Sequence, residues 1–275
     1  MSTPKEPPKS TISVLRPLPV GRKRLGWVDW EGIAMVWERD LVRFTQQRTR
    51  LFGGLVRSVV WLFALGFGLR GSFIAVEGLD YVQFIFPGII AMSVIFSALQ
   101  SSISIIWDRE FGFLKEVLVA PVPRSTIVLG KALGGATTSA LQGLIILPLA
   151  PLAGVRPSAY GLLLALLFII LASLSMTGLG ILIAARMHDF EGFGVIQNFV
   201  SMPMFLLSGA MFPISNVPGW LSWIIHLNPL SYGVDAVRGA LTDYHTYSYL
   251  LDALALLTFA AVALGISIRL FEREG

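Results

Sequence analysis

A chain of 275 residues that is 55% apolar, only 14% charged and has a mean hydropathy of +0.72 lacks the polar shell of a soluble protein, whose charged share is about 25%. Lipid must solvate it, so the composition excludes a soluble enzyme or binding module and gives an integral membrane protein. With no cysteine, disulfide scaffolds, thiolate metal sites and cysteine nucleophiles are excluded as well. The three histidines (His188, His226, His245) are too scattered for a metal site, so no metal is expected. The net charge of +4 fits an excess of Lys and Arg on cytoplasmic segments better than nucleic-acid binding.

Residues 1–26 are rich in Pro, Ser and Thr, carry the basic cluster Arg22, Lys23 and Arg24, and have no apolar run of the kind a signal peptide needs. They are expected to form a disordered cytoplasmic tail. Over residues 27–48, Trp27, Trp30, Ile33, Trp37, Leu41 and Phe44 recur every three or four residues, while Glu31, Glu38, Asp40, Arg43 and Gln47 take the other faces. The pattern predicts an amphipathic helix in the membrane interface, where indoles prefer to sit.

A domain of six crossings is expected over 49–275, making the chain an all-α polytopic membrane protein. Leu51–Leu69, Gln83–Trp107, Ile127–Ala153, Ala159–Ala185, Phe193–Phe212 and Ser248–Leu270 each approach the length of about 20 residues that a span requires. Arg57 sits two turns into the first, where a long side chain can snorkel to the headgroups. Of the 21 Lys and Arg residues, 17 fall in the two termini and the 2–3 and 4–5 connections; only Arg70, Arg156 and Arg238 fall on the other side. That asymmetry places both termini in the cytoplasm. Between spans five and six, residues 213–232 hold an apolar patch too short to cross, flanked by Pro218 and Asn228-Pro229. This predicts a pair of short re-entrant helices on the outer side, shielded by the bundle. No internal repeat is evident.

Enzyme signatures are missing: there is no GxSxG elbow, no paired intramembrane aspartates and no metal cluster. Gly130-Lys131 is followed by Ala132 and lacks the earlier glycine of a phosphate loop, so ATP hydrolysis must come from another subunit. The stretch from Trp107 to Lys131 alternates Asp108, Arg109, Glu110, Lys115 and Glu116 with Phe111, Phe113, Leu114, Val117, Leu118 and Val119. It predicts a short amphipathic helix ended by Pro121 and Pro123. Such a helix can transmit a push from a soluble motor, and an ordinary surface helix accounts for the pattern equally well.

Several runs occur in a consistent order across residues 27–270: Phe86-Pro87-Gly88; Asp108 to Gly112; Glu116-Val117-Leu118-Val119-Ala120-Pro121-Val122-Pro123-Arg124; Leu207-Ser208-Gly209-Ala210-Met211-Phe212-Pro213; Pro218-Gly219-Trp220-Leu221; and Asn228-Pro229-Leu230-Ser231-Tyr232 with Asp235 and Arg238. In these runs the chain resembles the permeases of type-2 ATP-binding-cassette exporters, in the drug, nodulation-factor and polysaccharide export branch. Phe113-Leu114-Lys115 departs from the Thr-Leu-acidic pattern of many relatives, which bears on the fit to the motor.

The resemblance implies two permease copies, two ATPase subunits that bind ATP and Mg, and no cofactor on this chain. It implies that residues 108–120 form a coupling helix, with Arg109, Glu110 and Glu116 as polar contacts to the motor and Phe111 and Leu114 as apolar anchors. It implies that Pro218, Trp220, Trp223, Asn228, Pro229 and Tyr232 shape an outer re-entrant exit. Met202, Phe205 and Met211 are candidates for an adaptable apolar path, with core packing as their simpler role. Asp235 and Arg238 read as a local i,i+3 ion pair, Gly178, Gly180 and Ala184 as close-packing positions, and Pro203 as a kink. Scarce buried charge suits an amphipathic or lipid-like cargo such as a drug, lipid or glycolipid. The alternative is a non-transporting scaffold or sensor subunit that binds a cytoplasmic partner.

Overall fold

The computed structural model describes residues 29–68, 78–110, 123–187, 189–214 and 217–273, and among them it is all-helical. In chain order the helices are α1 (Trp30–Gln46), α2 (Arg48–Trp61) running into a π-helical turn (Leu62–Phe67), α3 (Tyr81–Glu110) and α4 (Arg124–Leu144). They continue with α5 (Ala159–Ala184), α6 (Phe190–Leu206), α7 (Gly219–Leu227), α8 (Pro229–Thr242) and α9 (Tyr249–Arg273). The tail 1–26, Trp27 and most of the expected coupling helix, including Phe111, Leu114 and Glu116, lie outside the described residues.

α3 is the axis of the molecule. Its 30 residues are apolar on every side, and it packs against α4, α5, α6 and α8. In its most apolar stretch 89% of residues are buried, against 28% for α9, which covers one flank of α5 and α8. An all-round apolar helix belongs inside a bundle. Small residues admit neighbours at close range: a Cβ on Gly180 of α5 would lie 2.4 Å from Ser102 Oγ and 3.2 Å from Leu99 Cα. This is the close packing expected of Gly180.

Among the described residues, part of the expected set of six crossings is present as single helices. Four helices (α3, α4 extended to Leu149, α5 and α9) are long and apolar enough to cross a membrane; α1 with Leu51–Phe67 makes a fifth only as one segment bent by 67°. The remaining stretch, Phe193–Phe212, is not one helix. α6 ends at Leu206 after 17 residues, about 25 Å at 1.5 Å per residue. Pro203 lies in its last turn, and Gly209, with φ at +70°, turns the chain where a side chain would be strained.

The amphipathic helix is present as α1. Asp29 caps it by accepting from the Glu31 N–H, the role such a carboxylate fills at a helix start. It lies along α4, and two glycines one turn apart make the approach close: Cβ atoms on Gly130 and Gly134 would lie 2.7 Å from Val36 Cβ and 2.9 Å from Asp40 Cβ. Trp37 Nε1 donates to Thr137 Oγ1 at 3.1 Å, and the Asp29 N–H donates to Thr126 Oγ1 at 3.0 Å. Trp30, Met35 and Val42 stay exposed on the other side.

Candidate functional site

Polar chemistry is concentrated at the two ends of α3. At its C-terminal end, expected from the Lys and Arg asymmetry to be the inner one, Asp108 is the hub of a buried ion cluster. Its Oδ2 lies 2.8 Å from Lys131 Nζ on α4 and 3.0 Å from an Arg39 guanidinium nitrogen on α1, while Oδ1 lies 3.6 Å from Arg43. Lys131 Nζ also reaches Asp40 Oδ1 at 3.4 Å and donates to Ser104 Oγ at 2.9 Å. The Lys131 and Asp108 side chains are only 5% and 6% exposed, so each ion depends on the other for what water would supply. A cavity of about 790 Å³ borders the cluster, with Asp40, Arg43, Gln47, Gln100, Ser104 and Trp107 in its wall.

The neighbour of Asp108 faces the other way. Arg109 donates to the carbonyls of Met187 (2.6 Å) and Ala185 (3.2 Å), in the connection from α5 to α6. Trp107 packs on Phe190, the first residue of α6, with ring centroids 4.7 Å apart. Arg109 is thus occupied inside the chain, whereas Glu110 is exposed at the end of α3.

At the N-terminal end of α3, by the same expectation the outer one, the buried ion is Arg238 of α8. Its guanidinium lies 4.0 Å over the Phe84 ring and donates to the carbonyls of Phe84 (3.3 Å), Gly209 (2.8 Å) and Ala210 (3.4 Å). Burial lowers its pKa to about 10, which leaves it protonated at neutral pH. The expected Asp235–Arg238 ion pair is therefore corrected. Asp235 accepts instead from the N–H groups of Thr246 (2.9 Å) and Tyr247 (2.8 Å), binding the loop after α8. Helical i,i+3 spacing permits a pair, but backbone donors and acceptors at closer range take both groups.

The other outer residues divide into anchors and a free face. Asn228 caps α8 through the Leu230 N–H and donates to Met204 O at 2.7 Å; Pro229 is buried at the first helical position, where its missing N–H is harmless. Tyr232 donates to His226 O at 2.8 Å, and the Tyr247 hydroxyl meets His226 Nε2 at 3.1 Å. Burial pushes that hydroxyl up to about 12. Pro218 is exposed, and Trp220 and Trp223 are 68% and 75% exposed on α7. Of the residues between the ends, Phe205 is fully buried against Trp61, while Met202 and Met211 are half-buried. Arg57 lies over the Phe96 ring at 4.4 Å. Among the described residues no group of three or more His, Asp or Glu could hold a metal ion.

Sequence reasoning missed the ion cluster. Asp40 and Arg43 read as part of the polar faces of an interfacial helix, Lys131 as part of a failed phosphate loop. A signal was present in Gly130-Lys131-Ala132-Leu133-Gly134, a pair of small residues one turn apart that marks a helix contact and brings Lys131 with it.

The inner cluster, the outer layer and the apolar bundle between them fall together within one known pattern. The sequence model described as ABC-2 type transporter matches residues 31–242. The chain belongs to the ABC-2 type transporter family. Nodulation protein J of Sinorhizobium fredii is 30% identical over 248 residues, covering 89% of this chain and 94% of that protein. The inner membrane transport permease YadH of Escherichia coli K12 is 26% identical over 211 residues, covering 76% of this chain and 82% of its own length. As an ABC-2 type transporter this chain is a multi-pass membrane protein, and the matched residues run from α1 through the end of α8, spanning both polar clusters.

Proposed function

We propose that the chain is the permease subunit of an exporter driven by a separate ATPase. Two copies would pair in the cell membrane, each with both termini in the cytoplasm, and two ATPase subunits would carry the ATP and Mg. The relatives' names, a transport permease and a nodulation protein, support transport. The single observation that carries the reading is the family match from α1 to α8, with the exposed Glu110 at the point where the chain leaves α3. In this reading residues 108–120 seat in a groove of the ATPase, with Glu110, Phe111, Leu114 and Glu116 in contact and Arg109 braced inward. Six crossings follow if the bent α1–α2 pair supplies one and α6, extended by the turns to Phe212, another. α7 with its exposed Trp220 and Trp223 would lie at the outer interface, where indoles are favoured. The apolar bundle suits an amphipathic or lipid-like cargo, of the drug, lipid or glycolipid kind.

Purification of the chain from native membranes tests the proposal. An ATPase is expected to accompany it, with an ATP turnover that rises when candidate amphiphiles are added. A chain that purifies alone, from cells whose export is unaffected by its deletion, would contradict it.

A further inference from the structure

α1 and α3 do not pack side by side. Both lean on α4, and what joins them directly is Asp108, held at once by Lys131 of α4 and by Arg39 and Arg43 of α1. One residue later, Arg109 grips the carbonyls at the start of the α6 connection. The last turn of α3 thus has two arms, an ionic one toward α1 and a backbone-directed one toward α6. The arms differ in freedom. The Arg109 contacts are to main-chain atoms of a tight connection, whereas the ionic arm borders a cavity of about 790 Å³ that reaches Asp40 and Arg43, giving their side chains room for a second arrangement. Coupling between distant sites requires such an element with two arrangements.

We propose that Asp108, Arg39 and Arg43 are positioning residues, a latch that makes α1 follow the inner end of α3 when the ATPase moves the segment after Glu110. The inference rests on the proposed function, since it needs a motor acting on that segment. The ionic arm is the direct link from α3 to α1, whereas α6 is moved separately, through Arg109 and its own packing on α3. Breaking the latch therefore silences one arm and spares the other, which a merely structural role for the cluster does not do.

The chain contains no cysteine, so single labels can be placed cleanly. A bimane probe at Val42→Cys on α1 and, separately, at Val195→Cys on α6 uses positions that are exposed. The full permease–ATPase complex in nanodiscs is read with and without ATP and vanadate. Both probes are expected to shift in the unaltered background. With Asp108→Asn or, as a second variant, Arg39→Gln combined with Arg43→Gln, the Val42 response is expected to vanish while the Val195 response and ATP turnover persist; Asp108→Glu, which keeps the charge, should retain both. If Val42 still responds in both neutral variants, the latch is wrong and the permease reading stands. Joint loss of both responses in proportion to lost complex would assign the cluster to folding alone and also overturn it. If neither probe responds in the unaltered complex, the proposed function fails and takes the latch with it.

Discussion

The two ends of α3 meet the same physical problem with opposite means. Each buries cationic side chains, and an unpaired buried charge is among the most costly features a fold can carry. At the inner end, Lys131, Arg39 and Arg43 are balanced by the carboxylates of Asp108 and Asp40. At the outer end, Arg238 meets three main-chain carbonyls and an aromatic face. The outer arrangement fixes backbone: Arg238 ties α8 to α3 and to the turn after α6, and nothing can leave without stranding a donor. The inner arrangement fixes side chains that share partners, so one contact can be exchanged for another. Under the proposed function, rigidity at the one end would suit an exit scaffold and exchangeability at the other a moving input.

Substitutions can break or sharpen that contrast. The largest effect is expected at Arg238. Arg238→Leu takes the donor from the carbonyls of Phe84, Gly209 and Ala210 and should cost about 1–3 kcal/mol for each carbonyl left unpaired, seen as a sharp fall in folded protein by fluorescence-detected size exclusion. Arg238→Lys should recover little of this, because one ammonium cannot replace a planar fork. Next comes Gly130→Leu, which drives side-chain atoms into Val36; overpacking of this kind costs about 1–3 kcal/mol and should lower the melting temperature. Lys131→Met should cost about 1–2 kcal/mol, below the usual figure for a broken buried pair, because Asp108 keeps Arg39 and Arg43. Were Lys131→Met as damaging as Arg238→Leu, the inner cluster would not be exchangeable and the contrast would collapse. Arg43→Gln should be the mildest, a few tenths of a kcal/mol, since Arg43 is half-exposed and its contact with Asp108 is long.

Much of the fold was legible because lipid-facing and core helices announce themselves through long apolar runs; α3, α5 and α9 fall close to where those runs lie. α1 was legible through its indole spacing; what the spacing did not reveal is that Gly130 and Gly134 draw Ile33, Val36 and Asp40 onto α4, while Trp30 stays exposed. α8 was read in two pieces, Asn228 to Tyr232 within the re-entrant pair and Asp235 with Arg238 as an ion pair on an outer helix. Its continuation to Thr242 carries Asp235 and Arg238, whose polarity argued against the deep burial they have, and no local pattern reveals that backbone groups satisfy them. The inner cluster was hidden for a related reason. Lys131 and Asp40 are 91 positions apart, and charge at a helix surface reads as solvated until a partner helix is placed on it. Of the residues expected to meet the motor, Glu110 is exposed, Arg109 is engaged internally, and Phe111, Leu114 and Glu116 lie outside the described residues.

The account depends most on the inner end of α3 facing the cytoplasm, within reach of an ATPase. A single cysteine at Glu110 in this cysteine-free chain, probed with a membrane-impermeant maleimide, tests it directly, with Trp223→Cys as the opposite-face control. Glu110→Cys is predicted to react in inside-out vesicles only, and to be shielded when the ATPase is bound, while Trp223→Cys reacts from the outside. Labelling of Glu110→Cys in intact cells would contradict the account.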